Sequence, residues 1–314
     1  MINIYKTNVK TGLIDSIEKP VKGCWINLVK PTDKEISDIA KLVNIEEHLL
    51  KYPLDIAEKA HIDFEDDAVL IVVDSPATEY KKKKKYYTTL PLGMILVRDD
   101  IFITISQVNI TSVDQILNNS KPYLVETQKK SRFVFKILYN MAQDYIRYLT
   151  YINQDLENFE NKMEKTMSNE ELMNILNFEK TMIYFNASVK ANQVVLEKLN
   201  RGKAIKLYEE DEDILEDTLI ENRQAIEMIQ TYSEILNGIT DIFGTIVSNN
   251  LNNVMKFLTS ITVIISLPTM ISSFLGMNVD FPFRTDIIGF ICVIVVSIVI
   301  TVLATLWLSK KKML

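Results

Sequence analysis

Phe257-Leu-Thr-Ser-Ile-Thr-Val-Ile-Ile-Ser-Leu-Pro-Thr-Met-Ile-Ser-Ser-Phe-Leu-Gly-Met-Asn-Val279 is a run of 23 residues without a charge. As a helix it is long enough to cross about 30 Å of hydrocarbon. A second uncharged run, Ile287–Leu308, has 22 residues, and the stretch between the two is too short for anything but a tight hairpin. Tandem runs of this length are rare in soluble cores, so two transmembrane helices are expected. Lys256 precedes the first, and Lys310, Lys311 and Lys312 follow the second. The basic excess therefore flanks one side, which the positive-inside rule makes cytoplasmic for both ends. Trp307 suits an interfacial anchor there.

Outside the runs the composition is that of a water-soluble body. Among the 53 positions from Phe257 to Ser309 only Asp280, Arg284 and Asp286 are charged, although charged residues are 24% of the 314-residue chain. Cys24 and Cys292 are the two cysteines, far apart, which excludes a disulfide framework and a zinc-type cysteine cluster and suggests a reducing compartment. The eight glycines form neither G-x-x-x-x-G-K-[ST] nor G-x-G-x-x-G. His48 and His61 stand thirteen apart with no second His or Cys nearby, so solvated or capping roles are expected rather than a metal site. A net charge of −6 argues against a nucleic-acid partner. The amino terminus shows no basic-then-apolar leader, and secretion is not expected.

Residues 1–125 read as a cytoplasmic α/β domain. Strands are predicted at Ile2–Lys6, Cys24–Val29, Ala68–Asp74, Met94–Val97 and Ile101–Ser106, and Pro31-Thr-Asp-Lys-Glu35 opens a helix over 32–43. Lys81–Lys85 falls between two strand candidates and reads as a solvated hairpin tip. Residues 126–254 read as a helical stalk. Leu138, Met141, Tyr145, Tyr148, Ile152, Leu156, Phe159 and Met163 recur at three and four, the buried stripe of a long helix. Ser168-Asn-Glu-Glu171 restarts a second helix, which Asn200-Arg-Gly202 stops, and the pair reads as an antiparallel hairpin. A third helix opens in the acidic cluster at 209–213, where negative charge suits a helix N-terminus. It meets no stop before Gly276, so the stalk runs straight into the first span. The transmembrane region is 255–314, with helix 1 at about 255–277, an outer loop at 278–286, helix 2 at 287–309 and a basic tail.

That long helix carries the most telling pattern. Steps of four and three from Asp241 give Thr245, Ser248, Asn252, Met255, Thr259, Thr262, Ser266, Thr269, Ser273 and Gly276, of which only Met255 is bulky and apolar. Alternating threes and fours is the repeat of a helix facing a common axis. Small and hydroxylated residues also serve helix packing in membranes, with Ser and Thr bonding back to their own backbone; that reading accounts for two or three of them. A stripe that continues through a whole span into Asn and Asp below it is better explained by water and ions along the axis of a symmetric bundle.

With Gly276-Met277-Asn278 at its end, the sequence resembles the CorA-type divalent-cation transporters, whose mark is a Gly-Met-Asn tripeptide closing the first of two C-terminal spans. The likeness covers the whole plan of the chain, and Asn252-Asn253-Val254-Met255-Lys256 with Leu258, and Asp241 upstream, look like that family's pore entrance. The resemblance implies an α+β cytoplasmic domain, a long α-helical stalk and two C-terminal transmembrane helices, assembled as a homopentameric funnel-shaped channel in the plasma membrane. It implies a selectivity filter at Gly276, Met277 and Asn278 that binds hydrated Mg²⁺, and a gate at Met255 and Leu258. It also implies regulatory metal binding by carboxylates between neighbouring cytoplasmic domains, for which Asp217 and, more weakly, Asp55 are the candidates. Asp280 and Asp286 in the outer loop would gather cations, with Arg284 between them opposing this. Departures are visible: Leu275, not an aromatic, precedes Gly276; Pro268 is offset by one from the family's mid-span proline; and Ser266 stands near a usually bulky apolar position. The expected activity is passive influx of Mg²⁺, with Co²⁺ or Ni²⁺ as further cargo and no organic cofactor. The alternatives are a zinc transporter of the same superfamily, which Met277 disfavours, and a membrane-anchored scaffold or receptor, which the polar stripe disfavours. No nucleophile–base set points to an enzyme.

Overall fold

The computed structural model describes residues 1–8, 10–81, 84–98, 100–117, 126–163, 169–202, 204–277 and 287–313. The chain divides into two compact units, Met1–Asn237 and Gly238–Leu314.

The first unit is built on a seven-stranded sheet. Its strands are β1 (Ile2–Thr7), β2 (Ile14–Ser16), β3 (Trp25–Val29), β4 (His61–Phe64), β5 (Ala68–Lys81), β6 (Lys84–Val97) and β7 (Ile101–Ser106), in the order β2-β1-β3-β7-β6-β5-β4. All neighbours are antiparallel except β3 and β7, whose register runs from Trp25↔Phe102 to Val29↔Ser106. These two central strands are buried on both faces, which is why they read as almost unbroken apolar runs.

Side-chain parity separates the two faces. Cys24, Ile26, Leu28, Ile103 and Ile105 join a core with Ile36, Ile39, Ala40, Leu49 and Leu50 of α1 (Asp33–Val43) and α2 (Glu47–Lys51). Trp25 and Phe102, of the opposite parity, each place their rings 4.9 Å from Phe133 of α4 (Lys130–Met163), the helix that follows the short α3 (Thr111–Leu117). The Trp25 Nε1–H donates to Thr104 Oγ1 at 2.8 Å, and that hydroxyl donates to Asn27 Oδ1 at 2.9 Å, so the polar atoms of this layer are paired. α1 opens as expected, with a capping box in which Thr32 accepts from the Glu35 N–H and Glu35 accepts from the Thr32 N–H. Asn44 in the left-handed conformation ends it.

β5 and β6 extend well past the predicted 68–74 and 94–97, pairing out to Lys81↔Lys84. Pro76 and Pro91 end those readings in sequence, because proline cannot donate to a ladder. Here each lies beyond the outer strand's last pair: β4 stops at His61↔Val72 and β7 at Leu92↔Ser106. The lysine run therefore sits at the hairpin tip, with 82–83 outside the described residues.

The long hairpin is covered by α4 and α5 (Asn169–Asn200), so these helices pack on the sheet as well as on each other. The Asp74 carbonyl accepts from Tyr145 Oη and Asn192 Nδ2, both at 2.8 Å, and Ser188 Oγ donates to Thr89 Oγ1 at 2.9 Å. The capping box at Ser168 lies outside the described residues. α5 ends at Asn200, and Gly202 adopts φ +68 just beyond.

Asp144 on α4 is a buried carboxylate, its side chain 1% exposed, with Arg147 at 2.9 Å and the Gln115 amide donating at 3.1 Å. Burial outweighs both partners and pushes its pKa up to about 6. The native state therefore holds a proton that the unfolded chain has released. Stability should fall as pH rises from about 4 to about 6 and level off above, by roughly 2–3 kcal/mol in all, since each pH step between the two pKa values is worth about 1.4 kcal/mol. Thermal melts of the full chain across pH 4.5–8 are expected to show this loss, and Asp144→Asn to flatten it. An unchanged profile in the variant would remove Asp144 as its source.

α6 (Glu209–Leu275) is continuous over 67 residues, from the acidic cluster to the residue before Gly276, as its lack of a stop signal predicted. Arg132 of α4 ties its first turn down, pairing with Glu210 at 2.7 Å and Asp211 at 2.9 Å.

In the second unit, the later part of α6 meets α7 (Ile287–Lys310). Both helices are long and apolar enough to span a membrane. On α6 the covered or partly covered positions above Thr259 are Ser260, Ile261, Ile264, Leu267, Pro268 and Ile271. On α7 they are Gly289, Val293, Ser297, Thr301, Ala304, Thr305 and Leu308.

Candidate functional site

All eleven stripe positions, Asp241, Thr245, Ser248, Asn252, Met255, Thr259, Thr262, Ser266, Thr269, Ser273 and Gly276, are exposed. At 100° per residue, the members from Thr259 to Ser273 centre about 180° around α6 from the face covered by α7. The stripe is thus the side of the helix turned away from its intrachain partner. Thr262, Ser266, Thr269 and Ser273 line a shallow groove there, flanked by Ile265 and Met270. Ile265 stands one residue before Ser266 and Met270 one after Thr269, so they flank the stripe on its two sides, and the alternating steps of the stripe itself pass over both.

The hydroxyls are not idle. Thr245 donates to the Asp241 carbonyl at 3.1 Å, Thr259 to Met255 at 2.8 Å, Thr262 to Leu258 at 2.8 Å, Ser266 to Val263 at 3.0 Å and Thr269 to Ile265 at 2.9 Å. Five members bond back to the helix, more than the two or three expected. This does not remove them from the exposed face. A hydroxyl whose proton is spent on a carbonyl still presents oxygen lone pairs outward, as an acceptor.

Met255 and Leu258, the gate candidates, are 52% and 55% exposed. At the far end the Gly276 N–H donates to Ser272 O at 3.0 Å and Ser273 O at 3.2 Å, and Met277 N–H to Phe274 O at 3.3 Å. Gly276 lies just past the last helical residue, in a turn that keeps a negative φ and so is not a left-handed glycine cap. The carbonyl end of α6, which carries about half a negative charge, therefore lies beside the tripeptide and favours a cation. Asn278, Asp280, Arg284 and Asp286 lie outside the described residues.

The regulatory candidates are dispersed. Asp217 is half-buried on α6, and it and Glu221, one turn on, both help push the Tyr139 hydroxyl pKa up, behind burial as the main cause. Asp55 is exposed and accepts from the Ala57 N–H at 2.9 Å, a local turn. It follows Tyr52-Pro53-Leu54, a turn packed on the sheet at Gly93 and held by Gln107 donating to the Leu54 carbonyl. Among the described residues no three His, Cys, Asp or Glu side chains gather to hold a metal. His48 lies between Glu46 at 2.9 Å and Glu65 at 3.4 Å, paired rather than simply solvated.

A family model for the CorA-like Mg²⁺ transporter protein matches residues 22–311. The cobalt/magnesium transport protein CorA of Methanocaldococcus jannaschii is 29% identical over 280 residues, covering 88% of this chain and 86% of that one. The protein of the same description from Thermotoga maritima is 22% identical over 296 residues, 92% and 83% of the two chains. Among solved structures, the complete CorA magnesium transporter from Methanocaldococcus jannaschii superposes with a TM-score of 0.81 at 25% identity, covering 97% of this chain and 96% of that one.

Proposed function

Because the chain belongs to the CorA-like Mg²⁺ transporter family, we propose that it forms a homopentamer in the plasma membrane and passes hydrated Mg²⁺ inward along an axis lined by the α6 stripe. The observation that carries this reading is the unbroken exposed stripe on the side of α6 opposite α7. One copy supplies one wall, and a path needs several.

The chemistry suits a hydrated ion. Mg²⁺ gives up water reluctantly, and the protons of its bound waters point outward. A wall for such an ion needs acceptors, and back-bonded hydroxyls are acceptors. Most of the stripe is neutral, so binding stays weak enough at each level for the ion to leave. Asn278 and the Gly276 carbonyl, with Met277, form the proposed filter at the outer mouth, with Asp280 and Asp286 gathering cations before it. Met255 and Leu258 form the proposed gate, and Asp241 draws ions out below it. Asp217 and Asp55 are the carboxylates through which a cytoplasmic divalent ion acts on closure. Lys256 and Lys310–Lys312 set both termini in the cytoplasm.

The membrane potential supplies the driving force. At about 2.3 kcal/mol per charge per 100 mV, a divalent ion gains roughly 4.6 kcal/mol, enough for about a thousandfold accumulation without coupled energy. Both relatives are described as cobalt/magnesium transport proteins, which supports Co²⁺ as a second cargo. Uptake of Mg²⁺, Co²⁺, Ni²⁺ and Zn²⁺ into vesicles holding the purified chain tests the reading side by side. Mg²⁺ uptake is expected; Zn²⁺ uptake without Mg²⁺ would replace it with zinc transport, and uptake of none would reduce the spans to an anchor.

A further inference from the structure

Ser260 is fully buried, alone in that among the described residues of α6 beyond Gly244, and it belongs to the face opposite the stripe. Its Oγ lies 2.9 Å from the Lys256 carbonyl, the ordinary i−4 acceptor, and 2.9 Å from the carbonyl of Met313, 53 residues away. Met313 reaches that place through a specific turn. Lys312 takes φ +54, a left-handed conformation that residues with side chains seldom adopt. Its N–H donates to Ser309 O at 3.0 Å, and the Met313 N–H donates to Leu308 O at 3.1 Å. These are the two bonds of a Schellman motif, with lysine where glycine is usual. Leu308, the first residue of the motif, is 2% exposed and the one buried residue of α7 among those described. Lys311 is held over the Trp307 ring at 5.1 Å.

Hydroxyl, carbonyl and turn converge next to the proposed constriction. Ser260 stands two residues after Leu258 and five after Met255, and its single hydroxyl proton, shared between the Lys256 and Met313 carbonyls, links α6 to the turn that ends α7. We infer that this turn is a clasp that grips α6 through Ser260 and sets how far the Met255–Leu258 segment leans toward the axis, which makes Ser260 a positioning residue for the gate. This rests on the pore reading above. Neither Ser260 nor Lys312 belongs to the stripe, so the clasp governs the gate without touching the ion.

Two substitutions at Lys312 remove the same charge but differ in backbone. Asparagine tolerates the left-handed conformation and valine does not. In the full chain in vesicles, Lys312→Val is expected to speed amide exchange in the peptide carrying residues 310–313 by tenfold or more, and to change the Mg²⁺ uptake rate by threefold or more. Lys312→Asn should stay within about 1.5-fold of the parent on both readouts. Ser260→Ala should change uptake as Lys312→Val does, and the double variant no further. If the Asn and Val variants behave alike, or if exchange changes while uptake does not, the clasp does not position the gate. Absent Mg²⁺ uptake in the parent chain would overturn the pore reading, and this inference with it; normal parental uptake that ignores the Val variant would overturn the clasp alone.

Discussion

Replacing Thr262 and Thr269 together by leucine is expected to lower Mg²⁺ uptake by a hundredfold or more while leaving assembly intact. Both side chains are exposed and turned away from α7, so the change is not a packing error against the partner helix. Both spend their proton on the helix, so what is lost from that exposed face is an acceptor oxygen at two levels of the span. In a symmetric bundle each loss is repeated in every copy. An apolar ring in a narrow pore excludes water, and an ion that keeps its shell cannot pass where water cannot. Ile264→Leu, of the same volume and on the α7-facing side, is the control and should keep uptake within twofold. Vesicle uptake and the eluted size of the assembly give both readings. Full uptake by the double leucine variant would mean that the stripe is a packing surface.

Gly93→Val is expected to have the largest effect on stability. A Cβ at Gly93 would fall 2.7 Å from Pro53 Cβ and 2.8 Å from Ile105 Cγ2, and closer still to Pro53 Cγ. None of these neighbours can step aside: Pro53 is a ring fixed in a short helical turn, and Ile105 is a fully buried residue of a central strand. Ordinary overpacking costs about 1–3 kcal/mol. Forced separation of the Tyr52–Leu54 turn from the sheet should exceed that, against a whole-domain stability of about 5–15 kcal/mol. The melting transition of the first unit should drop by well over 10 °C or vanish. Gly238→Ala, at a helical site with open space around it, should be neutral or stabilising by up to about 1 kcal/mol. Equal melts for the two variants would contradict this packing of the turn on the sheet.

The parts of the architecture that were legible in the sequence are those with strong local periodicity. The uncharged runs, the unbroken α6 and the doubly buried β3 and β7 each follow from composition and spacing. The far halves of β5 and β6 were not legible, because Pro76 and Pro91 read as stops and only the lengths of β4 and β7 make them tolerable. Short edge strands such as Ile14–Ser16 and His61–Phe64 carry too few residues for a period.

The site divides in the same way. The stripe was visible as threes and fours, and the structure adds that it lies opposite α7. The extent of hydroxyl back-bonding was underestimated because sequence does not say which rotamer a threonine takes. Ser260 looked like one more small residue in a membrane helix; only the turn at Lys312 and Met313, more than fifty residues on, gives it a partner. Asp55 and Asp217 were not placed by any local pattern: within one chain Asp55 caps a turn and Asp217 sits half-buried on α6, and among the described residues neither belongs to a three-residue cluster of metal-ligating side chains.

Passive Mg²⁺ conduction by this chain is tested most directly by Mg²⁺ entry into vesicles carrying the purified full-length protein under an imposed potential. The prediction is entry that rises steeply as the interior is made negative and is suppressed when it is made positive. Entry no faster than into protein-free vesicles at any potential, with the protein inserted and assembled, would contradict it.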